Sequence, residues 1–277
     1  MIQESTRTHG MRIGCVFKTP NKFKDIDLEF SIRYMSITGG LGRLCNQVIR
    51  SLAFDPIARK FDLYVDYFNH DQIKRFGFDL YSGSKNYSSR TTLNESNYWQ
   101  TLQLDSLDTN LDASQAYFQT NEIIQAIYKY LRTPHVQANI IQANPFRERY
   151  QTNNDLCVHI RLTDVAMYNP GVNYYLDTIR KLQFDTLYIC TDEPDHTIIQ
   201  QIQKEYPELK MVTYDEVETI QFASTCKYII ISHGSYSAVI GYLSFFSSVY
   251  YPDVEKGKVW CPNIFSIKEW EEQSLNK

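Results

Sequence analysis

The chain has 277 residues, is 43% hydrophobic and carries a net charge of −4. This composition supplies a sizeable core, and the absence of a long basic run argues against a nucleic-acid-binding surface. An anionic ligand must therefore be held by a few placed residues rather than by a general positive field. The 21 tyrosines suit sugars and peptides, because each flat ring carries a polar tip, but compositional drift is an equal alternative.

The six cysteines are spaced widely and irregularly and include no C-x-x-C pair, which argues against zinc. Cys157, Cys190 and Cys226 lie in or beside apolar runs and are predicted to be buried residues in a reducing compartment. Nothing at the start of the chain resembles a signal peptide, and no apolar run approaches the ~20 residues of a spanning helix. We therefore expect a soluble, cytoplasmic protein, with a trimmed form of a membrane-anchored protein as the alternative.

The first part of the chain shows a strand, a turn of three glycines and a helix in succession. Residues 11–17 and 32–37 are predicted strands, and apolar residues recur at helical spacing over 46–60. Pro56 is expected to kink or restart that helix. A glycine turn between a strand and a helix lets the backbone approach a charged ligand, so this segment predicts one wall of a binding site.

The segment that follows is less regular. Residues 62–67 alternate like a strand, whereas 69–115 are weakly patterned and are interpreted as a polar loop region on the acceptor side. A helix is predicted over 119–132, ending before a proline. The polar stretch 142–155 contains a further proline, and we predict a domain boundary there.

From residue 156 onward, short apolar runs alternate regularly with helical patterns. Strands are predicted at 156–160, 186–190, 211–213, 228–232 and 249–251, and helical segments at 172–182, 196–206, 219–225, 237–246 and 267–275. This alternation indicates βαβ units and a parallel sheet. The last of these helices is expected to close the fold and to pack back on the N-terminal domain.

In open α/β sheets, ligands bind beyond the carboxyl ends of the strands. Three predicted strands end in polar groups. The first end holds His159, Arg161 and Asp164 and the second holds Asp192, while the third is the run His233-Gly234-Ser235-Tyr236-Ser237. Glycine and serine at a strand-to-helix turn offer free N–H groups and a positive helix end to a phosphate, although a plain helix cap explains them too. The convergence of three strand ends predicts a nucleotide diphosphate as the ligand.

Each of these side chains also has a simpler structural interpretation. Arg161 can pair with two phosphate oxygens or merely with Asp164. Asp192 can accept from a base or a ribose, or cap the next helix, and His159 alone is more typical of a core histidine. The sequence has no G-x-x-x-x-G-K-[ST] motif, which argues against a P-loop nucleotidase. It also has no Asp-x-Asp after a strand of the kind that holds a metal on a sugar diphosphate, so we expect binding without a metal.

Together these segments resemble the fucosyltransferases that share a His-x-Arg-Arg-x-Asp motif, namely the alpha-1,2-fucosyltransferases of family 11 and their alpha-1,6 and protein O-fucosyltransferase relatives. The resemblance is carried by His159-Ile160-Arg161-Leu162-Thr163-Asp164, Asn173-Tyr174-Tyr175, Thr191-Asp192-Glu193-Pro194, the Ser-rich segment 232–243 and Gly39-Gly40-Leu41-Gly42. The run Gly42-Arg43-Leu44-Cys45-Asn46-Gln47 is similar to the protein O-fucosyltransferase version. The match covers most of 36–67 and 156–251, and residues 68–150 carry none of it.

The resemblance implies a GT-B glycosyltransferase of α/β class, with two Rossmann-like domains and a cleft between them. Residues 1–150 would form the acceptor-side domain and 151–277 the domain that binds the nucleotide-sugar donor. It implies an inverting, metal-independent enzyme without a cofactor that transfers fucose from GDP-fucose to a glycan or another hydroxyl acceptor. No nucleic-acid partner and no membrane segment are expected.

The resemblance also implies roles for individual residues. Arg161 would hold the β-phosphate and stabilise the departing GDP. Asp164 is the nearest residue in sequence that could act as a base, but we expect it to orient Arg161 instead. His159 and Asp192 would contact the nucleoside. The diphosphate would be held by Ser235, Tyr236 and Ser237, and the donor would be approached from the N-terminal domain by Gly40, Gly42, Arg43 and Asn46.

One position departs from the motif, because Leu162 stands where the family has its second arginine. Another donor, such as GDP-mannose or a UDP-sugar, therefore stays open, as does a non-catalytic nucleotide- or glycan-binding relative. No catalytic base is assigned, although Asp66 and His70 follow an N-terminal strand and could face the acceptor. The sequence predicts neither the acceptor nor the oligomeric state.

Overall fold

Residues 35–253 and 261–274 are described by a computed structural model. They contain two separate parallel sheets with helices between and around the strands. The predicted strand at 11–17 lies outside the described residues, and only the end of the one at 32–37 lies within them. The chain passes from one sheet to the other through 113–155, which includes the predicted boundary, but the division into domains stays a prediction.

The first sheet has the order β2-β1-β4-β3, and all its pairings are parallel. Its strands are β1 (Ser36–Ile37), β2 (Val65–Asp66), β3 (Arg90–Thr92) and β4 (Asn110–Asp112). The interpretation of 69–115 as a loop region is therefore wrong, since it contributes two strands and the helices α2 (His70–Lys74) and α3 (Tyr98–Gln103). Strands of two or three residues are too short to show the alternation by which a strand is detected.

Helix α1 (Leu44–Phe61) follows the glycine turn and is the longest described element. It runs through Pro56 as one helix, so the helix does not restart there, while a kink at Pro56 stays a prediction. Pro56 lies on an exposed position, while most of the remaining helix is buried. We attribute its continuity to this packing, because burial on nearly all sides outweighs one lost backbone hydrogen bond.

Two further helices connect the sheets. The predicted helix at 119–132 is confirmed as α4 (Asn121–Leu131), and the Thr120 hydroxyl accepts from the Ile123 N–H at its start. Helix α5 (Pro134–Ala143) was not predicted, because Pro134 was interpreted only as a stop. Proline is favoured at the first position of a helix, where its missing N–H is not needed.

The second sheet has the order β10-β9-β8-β5-β6-β7, with every pairing parallel. Its strands are β5 (Leu156–Ile160), β6 (Leu187–Thr191), β7 (Lys210–Met211), β8 (Tyr228–Ile230), β9 (Ser248–Pro252) and β10 (Glu271–Gln273), and its helices are α6 (Val172–Ile179), α7 (Thr197–Glu205), α8 (Glu216–Ala223) and α9 (Gly234–Leu243). The predicted alternation is confirmed with small shifts at the ends. In chain order this is the doubly wound arrangement 3-2-1-4-5-6, whose switch point lies between β5 and β8.

The helix predicted at 267–275 is wrong. The described part of that segment forms β10, an edge strand, preceded by a 3-10 turn at Pro262–Phe265. Trp270 is buried and stacks on Tyr242 at 5.6 Å between ring centroids. The packing of Trp270 holds the C-terminal segment beside β9, and the backbone of β9 pairs with β10.

The Tyr-Tyr segment links the ends of the strands to helix α6. The Tyr174 hydroxyl donates to the Ile231 carbonyl at 2.8 Å, and the Tyr175 hydroxyl donates to the Ser232 hydroxyl at 3.1 Å. Both tyrosines are buried. They therefore fix the backbone that leaves β8 and leads into α9.

None of the described helices combines the length and the apolar character needed to cross a membrane.

Candidate functional site

A cavity of about 450 Å³ lies between the two sheets. One wall comes from the first turn of α1 and from residues that follow β4, including Tyr117 and Gln119. The other wall comes from the carboxyl ends of β5, β6 and β7 and from the starts of α8 and α9. Two parallel α/β halves thus face a common cleft, as the GT-B architecture requires, and the cavity is of a size for a small-molecule ligand.

The cavity brings together most of the predicted site residues. Its lining includes Gly42, Arg43, Asn46, His159, Arg161, Asp164, Asp192, Ser235 and Tyr236. Two predicted residues do not line it: Gly40 lies in the turn behind, and Ser237 is fully buried. Asp66 and His70 are exposed and also lie outside the lining.

Arg161 is held between two carboxylates. Its Nη1 lies 2.8 Å from Asp192 Oδ2 and its Nη2 lies 2.5 Å from Asp164 Oδ1. Only 18% of its side chain is exposed. A guanidinium has five N–H donors, so these two pairs orient the group and leave other donors for a ligand.

Asp192 is itself fixed by the loop after β5. Its Oδ1 accepts from the Leu162 N–H at 2.9 Å and its Oδ2 from the Thr163 hydroxyl at 2.7 Å. Burial acts to raise the pKa of Asp192, but the hydrogen bonds from Thr163 and Leu162 and the charge of Arg161 lower it below its usual value. Both oxygens are thus engaged, and the geometry makes Asp192 a support for Arg161. Its predicted contact with the nucleoside stays a prediction.

Asp164 bridges the two walls of the cavity. It pairs with Arg161 on its own side, and its second oxygen lies 2.9 Å from Nη2 of Arg43, the residue that precedes α1. Burial acts to raise its pKa, but the Arg161 hydrogen bond and the charges of both arginines lower it. The four groups Arg43, Asp164, Arg161 and Asp192 sum to no net charge. These four side chains are therefore placed charges and do not create a general positive field.

The start of α9 offers free backbone donors to the cavity. His233 precedes the helix, and no side chain caps its first turn. Gly234 has φ +84°, and a Cβ there would meet no atom within 4 Å, so the turn is open. The N–H groups at this end of the helix lie at the switch point, beside Arg161, and such an arrangement is a ready-made anion site.

His233 lies in the third strand end that the sequence indicated, but no role was predicted for it. It lines the cavity, is almost fully buried, and neither ring nitrogen makes a hydrogen bond of normal geometry with a described residue. Burial and the charge of Arg161 lower its pKa to about 4, although the Arg161 backbone and the charges of Asp192 and Asp164 act in the opposite sense. The ring is therefore neutral near pH 7 and has unsatisfied hydrogen-bonding capacity. The sequence feature that could have indicated its role is its position between a predicted strand and Gly234.

His159 lies deeper, with part of its ring on the cavity. Its Nδ1 is 2.6 Å from the Ser237 hydroxyl, and its ring stacks on Tyr236 at 5.0 Å. Burial lowers its pKa to about 3, so it is uncharged near neutral pH. The Tyr236 hydroxyl donates to the Glu216 carbonyl at 2.7 Å. Tyr236 thus connects α9 to α8 and covers the histidine.

The glycine turn is held rigidly by α1. The Leu41 carbonyl accepts from Gln47 Nε2 and from Arg50 Nη2, both at 2.8 Å, and Arg50 is fully buried. Gly40 has φ +146°, and a Cβ there would lie 1.9 Å from the Ser114 carbonyl oxygen. Only glycine fits this contact. The turn is therefore fixed by contacts within the protein, and it presents Arg43 to the cavity.

Asn46 completes this wall. Its Oδ1 accepts from Gln119 Nε2 at 2.7 Å, and both residues line the cavity. Gln119 and Tyr117 come from a segment in which the sequence showed no motif, so their place in the site was not predicted. Among the described residues, no group of three or more His, Cys, Asp or Glu side chains is arranged to hold a metal ion.

Comparison with known proteins finds no matching family model and no matching curated sequence. Among solved structures, the chain is similar to the NodZ alpha-1,6-fucosyltransferase co-crystallised with GDP, at 10% identity and a TM-score of 0.47 over 79% of this chain and 95% of that one. It is also similar to POFUT1 in complex with GDP, at 12% identity and a TM-score of 0.45 over 79% and 97% of the two chains. At such low identities and scores, neither the ligand nor the activity of those proteins carries over to this chain.

Proposed function

We propose that this protein is a glycosyltransferase that transfers fucose from GDP-fucose to a hydroxyl acceptor, with inversion and without a metal. One observation carries the proposal: Arg161 and the uncapped start of α9 face the same cavity at the switch point of a doubly wound sheet. The motifs that resemble the His-x-Arg-Arg-x-Asp fucosyltransferases lie on these same segments. Physical geometry and sequence resemblance thus support the same ligand.

In this proposal the donor diphosphate lies between Arg161 and the first turn of α9. The guanidinium supplies a cation with donors to spare, and the N–H groups near Ser235 supply hydrogen bonds and the positive end of the helix dipole. His233, neutral and without a partner of normal geometry among the described residues, is placed to hydrogen-bond a ligand oxygen or hydroxyl. The sugar would then face the wall formed by Arg43 and Asn46.

The chemistry is a direct displacement at the anomeric carbon. The acceptor oxygen forms the new bond to C1, the bond from C1 to the β-phosphate oxygen breaks, and its electron pair leaves with GDP. The acceptor proton is finally released to water. Negative charge grows on the diphosphate, and one preorganised cation or donor there contributes about 10²–10³-fold in rate. Arg161 is the residue placed to supply it.

Leu162 supports a second candidate function. Its side chain is buried in the core cluster of the second sheet with Tyr175 and Ile189, and only its backbone N–H reaches the site, through Asp192. A second arginine is therefore absent at this position, and the diphosphate would depend on a single guanidinium there. A related donor, GDP-mannose or a UDP-sugar, or a relative that binds without turnover, is the alternative that this residue supports.

The proposal is tested by incubating the protein with GDP-fucose, GDP-mannose and UDP-sugars in the presence of EDTA. We expect GDP-fucose to be hydrolysed fastest, at the same rate with and without EDTA. The proton NMR spectrum of the first fucose released should show the inverted anomer, because water takes the place of the acceptor. Preference for a UDP-sugar, or no turnover of GDP-fucose, would overturn the proposal.

A further inference from the structure

His233 is a buried polar side chain whose hydrogen-bonding groups are not used within the described part of the chain. It is 1% exposed and lines the cavity, and neither ring nitrogen makes a hydrogen bond of normal geometry with residues 35–253 and 261–274. The ring does not cap α9 either. Buried polar side chains are nearly always hydrogen-bonded in folded proteins. An exception that borders a cavity therefore points to a ligand that supplies the missing bond.

The place of His233 in the fold is fixed by other groups. The buried hydroxyls of Tyr174 and Tyr175 bond to the two residues before it, at 2.8 and 3.1 Å. Helix α9 begins at the next residue, Gly234, where the turn is open. His233 is therefore held at the cavity by contacts that do not involve its own ring nitrogens. A change of the ring alone should leave the backbone of this segment in place.

The ring lies at the anion site formed by Arg161 and the start of α9. Apart from burial, the charge of Arg161 has the largest effect on the pKa of His233, ahead of the charges of Asp192 and Asp164. The ring also contacts Tyr168, in the loop after β5, with 6.1 Å between centroids. His233 thus belongs to the wall that faces the diphosphate of a bound donor. The attacking acceptor comes from the other side of the anomeric carbon, so His233 is not placed to act on it.

We infer that His233 donates a ring N–H to the diphosphate of the donor and stabilises that group as it leaves. The inference rests on the proposed function, because it assigns a second donor to the same leaving group. The ring keeps its proton throughout, while the electron pair of the broken C1–O bond stays on the β-phosphate oxygen. Because negative charge on that oxygen grows during the displacement, the hydrogen bond should raise kcat more than it raises donor affinity.

An uncharged donor suits this position. Arg161 and the start of α9 already supply positive charge, and a further cation beside both would be repelled. Burial and the charge of Arg161 hold the pKa of His233 at about 4, so its ring is neutral near pH 7. A neutral imidazole has one N–H, and no hydrogen bond of normal geometry fixes which nitrogen carries it, so the tautomer can follow the ligand. The diphosphate thus gains a second side-chain donor although Leu162 is buried in the core.

The test compares His233→Phe with the wild type, using the full chain. Phenylalanine keeps a flat ring and removes both nitrogens. We expect kcat for the hydrolysis of GDP-fucose to fall about 10- to 100-fold, the range for a hydrogen bond to a charged group. The affinity for GDP, measured by calorimetry, should fall by a smaller factor. Thermal unfolding should show no loss of stability, because the variant removes buried nitrogens that lack a partner, whereas a histidine with a purely structural role would lose stability.

Two amide variants test whether the lost group is the N–H donor. His233→Asn and His233→Gln place an amide N–H near the positions of Nδ1 and Nε2, and at least one of them should recover part of the lost kcat. The matched control is His135→Phe, since His135 is exposed and lies outside the cavity, and it should change neither kcat nor affinity. His233→Leu makes the same comparison if the phenylalanine variant does not fold.

The outcomes separate this role from the proposed function. Unchanged kcat in a folded His233→Phe, or no recovery by either amide, contradicts the role of His233 and leaves the proposed function standing. A wild type that binds and hydrolyses a UDP-sugar instead contradicts the proposed donor, and the same variants measured with UDP and that sugar then decide the role of His233. A wild type that binds neither GDP nor UDP contradicts both.

Discussion

Arg43 and Asp164 join the two halves of the protein across the cavity, with Nη2 and Oδ2 2.9 Å apart. The two side chains are 66% and 49% exposed, so the pair itself contributes only about 0–1 kcal/mol to stability. Its importance lies in the second oxygen of Asp164, which pairs with Arg161. A diphosphate that enters the cavity must therefore compete with one carboxylate for two arginines.

We predict that Asp164→Asn binds GDP several-fold more tightly than the wild type at low salt. The variant removes a negative charge beside the diphosphate, and the difference should shrink as ionic strength rises. Calorimetry at two salt concentrations measures both effects. Asp79→Asn is the control, since Asp79 is exposed, pairs with Arg59 at 3.5 Å and lies outside this cavity. Unchanged or weaker binding by Asp164→Asn would show that Asp164 serves only to orient Arg161.

The stability of the protein should fall as the pH is lowered below about 6.5. Burial lowers the pKa of His159 to about 3 and of His233 to about 4, from an ordinary value of 6.5. Below pH 6.5 the unfolded chain therefore binds protons that the folded chain does not. Each histidine then contributes a loss of up to about 1.4 kcal/mol per pH unit, until the folded state protonates as well.

Urea unfolding at pH 7, 6 and 5 measures this slope. The variant His159→Gln removes one of the two groups, so its free energy of unfolding should fall less steeply over the same interval. The opposite trend, with stability rising as the pH falls, would mean that these rings are charged in the folded protein.

Ser235 and Ser237 should have opposite effects, although the sequence predicted the same role for both. Ser237 is fully buried and bonds His159 at 2.6 Å, so Ser237→Ala should cost about 1–3 kcal/mol of stability and leave GDP affinity nearly unchanged. Ser235 lines the cavity, so Ser235→Ala should weaken GDP binding with little loss of stability. Thermal unfolding and calorimetry on both variants make the comparison. Lost GDP affinity in a stable Ser237→Ala would restore its predicted place on the diphosphate.

Alanine at Gly42 should be more damaging than alanine at Gly171. The two glycines have nearly the same φ, +87° and +88°, so both variants bear the backbone strain of a left-handed residue. A Cβ at Gly42 would also lie 2.5 Å from Asn46 Nδ2, whereas one at Gly171 would meet nothing within 4 Å. We expect Gly42→Ala to lose more stability and to displace Asn46, measured by thermal unfolding and donor turnover. Equal losses in the two variants would show that the contact with Asn46 is unimportant.

The sequence predicted the second sheet better than the first, for a physical reason. Strand β5 is a run of five buried residues bounded by polar ones, which is a readable pattern. Strands β3 and β4 have three residues each and gave no such signal. Residues 267–275 were predicted as a helix from the spacing of their apolar residues. That spacing carries no information on whether the edge of β9 is available to pair with a further strand, which is what β10 does.

The site was predictable to the level of segments and not of side chains. Parallel strands end at one edge of a sheet, so the sequence predicted that Arg161 and Ser235 lie close together. Both line the cavity, and their roles stay predictions. The sequence did not show which residues of the first turn of α9 face the core. In the structure Ser237 is buried in the core, whereas Ser235 lines the cavity. Asp192 illustrates the same limit, since only the folded loop shows that both oxygens of its carboxylate are engaged.

The most direct test of the account is calorimetric titration of GDP into the wild type, Arg161→Ala and Arg180→Ala in EDTA. Arg180 is the control, because it is half exposed, pairs with Glu205 and lies outside the cavity. We predict one GDP bound per chain, a loss of at least about tenfold in affinity for Arg161→Ala, and no change for Arg180→Ala. Absence of GDP binding, or wild-type affinity in Arg161→Ala, would contradict the placement of a donor diphosphate at Arg161.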